Sequence, residues 1–148
     1  MLLVTKDLLT CPAFDGIYFP GDQTVIPIEG SPAAGYTLGT RQPIDAVVPP
    51  DRLDWSPDLE ASDGCRLETA DVLVVGGGGT YEGEGFLAAF SKPAMEGLWL
   101  LYSESSETFR KVALSDQDLV AISADPPYLY EWRLPLRRPT SLLVHRVP

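Results

Sequence analysis

The chain has 148 residues, 45% of them hydrophobic, and a formal net charge of -10 at pH 7. That length is one domain by default, that apolar share excludes general disorder, and the acidity argues against nucleic acid or an anionic membrane as partner. Fourteen prolines and 13 glycines break the chain too often for a helix of more than three turns, so short strands are expected.

In chain order, Ile17 to Phe19 reads as a short strand stopped by the turn Pro20-Gly21-Asp22. Thr24 to Ile28 is a second extended piece, whose Pro27 places it at an edge or a strand end. Ser31 to Gly35 is loop, and Ile44 to Val48 is a third short strand ended by Pro49-Pro50. Residues 51–64 are the most acidic stretch, with Asp51, Asp54, Asp58, Glu60 and Asp63 around Trp55. One or two helical turns are expected there, with Ser56 as N-cap, Pro57 in the first turn and Gly64 as terminator.

From residue 66 the strand signal strengthens. Arg66 to Val75 alternates and then becomes continuously apolar, as a strand entering a core does. Between 71 and 90, two buried strands are expected, joined by a glycine-rich acidic connection that holds Glu82 and Glu84. Leu98 to Tyr102, Phe109 to Leu114, Leu119 to Ser123, Tyr128 to Leu134 and Leu142 to Val147 continue at roughly ten residues per element, the spacing of an antiparallel meander. The expected fold is therefore all-β or β-dominated α+β. It is one domain over residues 1–148, loop-rich to 65 with the main sheet from 66, forming a sandwich or an open barrel with at most two short helices.

The four glycines Gly76 to Gly79 invite a dinucleotide-binding reading. The residues where that fingerprint needs its third glycine are Tyr81 or Glu82, and no Gly-Lys-Ser/Thr follows, so close backbone packing is the reading kept. His145 is the only histidine and no cysteine pair has ligand spacing, so neither a metal nor any other cofactor is expected. Cys11 and Cys65 are expected as free thiols, with a bridge between them as the alternative. No apolar run is long enough to span a membrane and the first residues make a poor signal peptide, so a cytoplasmic protein is expected. Tyr128, Tyr130 and Trp132 share one strand face and read as core.

Charge is unevenly spread. Residues 1–130 hold 20 acids against seven bases, a net -13, whereas residues 131–148 set Glu131 against Arg133, Arg137, Arg138 and Arg146, a net +3. Asp51, Asp54, Trp55 and Asp58, joined by Glu82 and Glu84, form the expected partner-binding patch: an aromatic with an acidic rim. Glu82 and Glu84 themselves read as surface acids.

The segments Gly83-Glu84-Gly85-Phe86, Leu98-Trp99-Leu100, Phe109, Val120-Ala121-Ile122-Ser123, Glu131-Trp132-Arg133 and Pro135-Leu136 resemble small bacterial β-sheet proteins of the polymorphic-toxin immunity type, over residues 71–148. The resemblance implies a cytoplasmic inhibitor that binds one cognate toxin; the acidic body makes a basic toxin the expected partner, and a monomer or weak homodimer without enzymatic activity is expected. The alternatives are a small hydrolase or isomerase with a carboxylate pair in a barrel mouth, and a structural subunit of a phage or secretion assembly.

Overall fold

The computed structural model describes residues 9–54, 56–79 and 83–148. Strand accounts for 57% of the chain and helix for 6%, so the β-dominated class with two short helices is what the chain adopts. A large antiparallel sheet contains β1 (Gly16–Phe19), β2 (Thr24–Ser31), β3 (Gly35–Leu38), β4 (Gln42–Pro43), β5 (Glu60–Glu68), β6 (Val72–Gly78), β7 (Gly85–Ser91) and β8 (Glu96–Ser103). Its order is β3-β2-β1-β8-β7-β6-β5, with β4 also on β2. A second sheet, in the order β12-β11-β10-β9, is built from β9 (Phe109–Ser115), β10 (Asp118–Asp125), β11 (Tyr128–Pro135) and β12 (Leu143–Val147).

Period-two alternation explains the layers. In β7, Leu87 and Ala89 face the small sheet, while Phe86, Ala88 and Phe90 face the other way. The same split runs through β8, with Trp99 and Leu101 against Leu100 and Tyr102, and through β1, with Ile17 and Phe19 against Tyr18. One core therefore lies between the sheets, where Trp132, Phe109, Leu119 and Leu134 meet Trp99, Leu101 and Leu87. A second core lies on the far face of the large sheet. Each fully buried large apolar side chain contributes about 1.5–3 kcal/mol, so two cores rather than one hold the central strands.

Polar atoms inside the first core are matched. Trp99 donates its indole N–H to the Leu136 carbonyl (2.7 Å) and Trp132 donates to the Ser123 hydroxyl (2.9 Å). Trp132 also meets Phe109 edge-on (5.0 Å) and Tyr36 at 4.9 Å, which ties β3 to the small sheet. Of the three aromatics on β11, Tyr130 and Trp132 are core, while Tyr128 is exposed beneath the Arg146 guanidinium.

Four local expectations are corrected. Ile44 to Val48 is not a strand: Ile44–Val47 forms the one-turn helix α1, because Ile44 and Val48, four apart, both bury on the second core. The helical turn expected from Ser56 lies earlier, as α2 (Pro50–Leu53), where Pro50 sits in the first turn; the Ser56 hydroxyl instead donates to the Pro57 carbonyl. Gly64 ends no helix but sits at φ 77° inside β5, where the register with β6 shifts. Arg66 to Val75 is two strands, since Thr69 closes a turn by accepting from and donating to Val72 (3.1 and 3.3 Å). The sheets also stay open, so there is no barrel mouth for a carboxylate pair.

The glycine run sits largely within β6, and it allows the bulged part of β5 to lie against it. A Cβ at Gly77 would fall inside van der Waals distance of the Glu60 carbonyl oxygen and 2.8 Å from the Ala61 Cα. Those are backbone atoms that a rotamer change cannot move. Gly77→Ala is expected to lower stability by about 2–3 kcal/mol in urea unfolding, with the β-sheet spectrum retained at low denaturant.

Candidate functional site

The second core needs a cover, and the chain supplies it from non-sheet segments. Cys11, Pro12 and Ala13 are buried over it, and the Tyr18 hydroxyl donates to the Phe14 carbonyl (2.5 Å). Helix α1 is hung from the β1–β2 turn by the Ile44 N–H on the Gln23 carbonyl (3.1 Å). From α2, Arg52 donates to the Ala13 carbonyl (3.1 Å) and to Glu104 (3.0 Å), which fixes the cover to the turn after β8.

Where these segments meet they leave a pocket of about 480 Å³. Pro12, Ile44 and Leu53 give it apolar walls, and Asp22, Asp45 and Asp54 give it carboxylates. Asp22 is occupied: it accepts from Thr24 (2.5 Å) and pairs with Arg41 (2.8 Å), which lies 3.7 Å over the Phe19 ring. The Thr24 hydroxyl, and after it Arg41, holds the Asp22 carboxyl below the usual carboxylate range. Among the described residues no cation pairs with Asp45 or Asp54. Apolar walls beside uncompensated carboxylates suit a long side chain with an aliphatic stem and a positive head.

Asp51 stands exposed on α2, Asp54 is at this pocket, and Asp58 lines a neighbouring groove of about 410 Å³ with Leu59, Glu60 and Gly79. Trp55 and Glu82 lie outside the described residues. Glu84 does not join the exposed patch. Its side chain is 5% exposed, because the β6–β7 hairpin folds it over Gly79 and against Tyr102, whose hydroxyl donates to Oε1 (2.9 Å). The sequence expectation of a surface acid is corrected by that packing. Oε2 has no hydrogen-bond partner among the described residues.

Around Glu84 the ionisable groups are held neutral. Burial, then the Glu84 carboxylate, pushes the Cys11 thiol far above its ordinary value, and burial with the Glu84 hydrogen bond does the same to the Tyr102 phenol. Cys65 is raised to about 11, chiefly by burial. The two thiols are free and lie in different cores, on opposite faces of the large sheet. Neither is a thiolate nucleophile at neutral pH.

Sequence reasoning did not find Asp22, Asp45 or Asp15. Asp22 had a signal, as the last residue of a strong turn; Asp45 and Asp15 are single acids that become meaningful only once distant segments meet. No group of three His, Cys, Asp or Glu among the described residues is placed to hold a metal ion. His145 is exposed on the small sheet, 3.3 Å from Glu131. Among the described residues no helix is long and apolar enough to cross a membrane. Comparison with known protein families, curated proteins and solved structures finds no match to this chain.

Asp15 supplies a pH dependence. It accepts the Glu104 N–H (2.8 Å), yet burial first, and the Glu104 charge after it, raise its carboxyl to about 6. The folded state then holds this proton more tightly than the unfolded chain, whose value is near 3.8. Its stabilising contribution is complete below about pH 4 and is lost as pH rises through about 6. Unfolding midpoints measured from pH 4 to 7 are expected to fall along that window in the native chain, and Asp15→Asn should flatten the fall.

Proposed function

We propose that this chain is an acidic protein-binding module of the immunity-inhibitor type, acting in the cytoplasm by holding a basic toxin. The observation that carries the reading is the pocket under α1 and α2, with uncompensated Asp45 and Asp54 beside apolar walls. Basic clefts are what enzymes that attack nucleic acid or other anionic substrates present, and a carboxylate surface on the cover of the sheet can occupy such a cleft. Asp51 and Asp58 flank this surface and extend the field. Of the basic residues near the other end of the chain, Arg133 pairs with Asp118 and Arg137 with Asp71, and Arg146 lies over Tyr128. Asp45 and Asp54 carry charge that no cation among the described residues offsets.

The reading is tested by capturing the partner from the native host with a tagged copy and then measuring association by stopped flow. The captured protein should be basic, and its association should slow as salt shortens the screening length below about 10 Å. Asp51→Asn should mainly lower the association rate, because a rim charge acts at long range. Asp54→Asn, at the pocket, should also raise the dissociation rate. An acidic partner, or rates indifferent to salt and to both substitutions, would remove the proposal.

A further inference from the structure

The solvent face of an antiparallel sheet is ordinarily polar, opposite an apolar face on the core. The small sheet departs from that. Its inner face carries Trp132, Leu119 and Ala121 into the first core, so the residues between them point away from the large sheet. Those outer residues are largely apolar. Leu129 and Leu143 are 46% and 61% exposed, and Val147, Ala124, Ile122 and Val120 lie half-buried beside them. Two charges stand in the middle of this patch: Glu131 and Arg133, two residues apart on β11 and level with Ile122 and Val120 of β10. Their partners within the chain hold them weakly. Glu131 meets His145 at 3.3 Å and Arg133 meets Asp118 at 3.4 Å, solvent-accessible pairs of the kind worth about 0–1 kcal/mol.

We propose that this face seats a second copy of the chain, in a weak twofold dimer packed sheet on sheet. The order of the charges selects a copy of itself. A twofold axis that crosses the strands between residues 131 and 133 sets β11 antiparallel over β11 of the second copy. Glu131 then faces Arg133 of the second copy and Arg133 faces its Glu131, while Ile122 and Val120 exchange in the same way on β10. Both charges are met, and the apolar residues around them are covered. The face also repels a copy least. Lys111 and Arg133 balance Glu131 and Asp118 on it, whereas the whole chain carries -10. Four strands about 4.8 Å apart, each giving five residues at about 3.4 Å, make a patch of about 19 by 17 Å. Two such faces bury less than the roughly 1,200–2,000 Å² of a stable interface, so the dimer forms only at about 0.1–1 mM. The acidic cover lies beyond the second core, on the other side of the large sheet, and stays free in both copies.

The test uses the intact ¹⁵N-labelled chain at about 0.15 M salt, where a Debye length of about 8 Å limits repulsion between two acidic copies. Between about 0.05 and 1 mM, translational diffusion should slow, and the amides of β10 and β11 should shift along one common binding curve. Ile122→Lys, a change on the outer face, should keep the chain monomeric, with circular dichroism confirming that it is folded. Glu131→Arg and Arg133→Glu alter the net charge in opposite directions. Each should nevertheless weaken association about tenfold or more, because like charges then stand face to face. The double variant Glu131→Arg with Arg133→Glu restores both pairs and should associate within about threefold of the native chain. A native chain still monomeric at about 1 mM would overturn the dimer and leave the face bare or the seat of a different protein. Association that survives Ile122→Lys, or a double variant no better than the single ones, would overturn it as well.

Discussion

Strands β6, β7 and β8 are apolar on both faces, and everything else in the molecule answers that constraint. A half-buried antiparallel strand alternates apolar and polar residues, but Phe86 to Phe90 and Trp99 to Tyr102 are buried without interruption. One face is covered by the small sheet. The other is covered by the Cys11 to Ala13 segment and α1, with α2 tied to that segment through Arg52, a thin layer rich in proline that cannot form another sheet. Such a layer presents its residues to solvent, and in this chain they include Asp45, Asp51 and Asp54. The candidate pocket is the seam that the cover leaves.

The electrostatics follow from the same arrangement. Burying Glu84 puts a carboxylate beside Tyr102 and near Cys11, and among the described residues a donor meets only one of its oxygens. Arg52, which ties α2 to the rest of the cover, spends its bonds on Ala13 and Glu104. Buried groups at odds with their surroundings concentrate at sites that bind or react, where ligand interactions replace what the free protein lacks. Among the described residues, the buried side-chain atom left without a partner lies on the covered face. The first core, by contrast, satisfies both of its tryptophans.

Much of the fold was legible because the later strands carry long, unambiguous patterns. In Leu98 to Tyr102 the residues from Trp99 on are buried in the large sheet, and Tyr130, Trp132 and Leu134 are buried in alternation on β11, although Tyr128 at its start is exposed. Ile44 to Val48 failed because five apolar-rich residues fit either period, and a tertiary contact with the second core decided for helix. The turn at Thr69 was missed for lack of glycine or proline; a hydroxyl closes it instead. The site was less legible than the fold. Asp54 stood out by acid density, but Asp22 and Asp45 join it only through α1 hanging from Gln23, and the burial of Glu84 depends on a tyrosine 18 residues away.

The central claim is that a rigid, doubly buried sheet carries a separate and more easily opened cover in which the binding seam lies. Residue-resolved native-state hydrogen exchange tests it directly. The amides of β7 and β8 should exchange only through global unfolding, with the dependence on denaturant of the whole molecule. The Val48, Arg52 and Leu53 amides, bonded within one-turn helices, should exchange through a smaller opening that exposes little surface. A single common protection for cover and sheet, or faster exchange in β7 than in α1, would contradict the account.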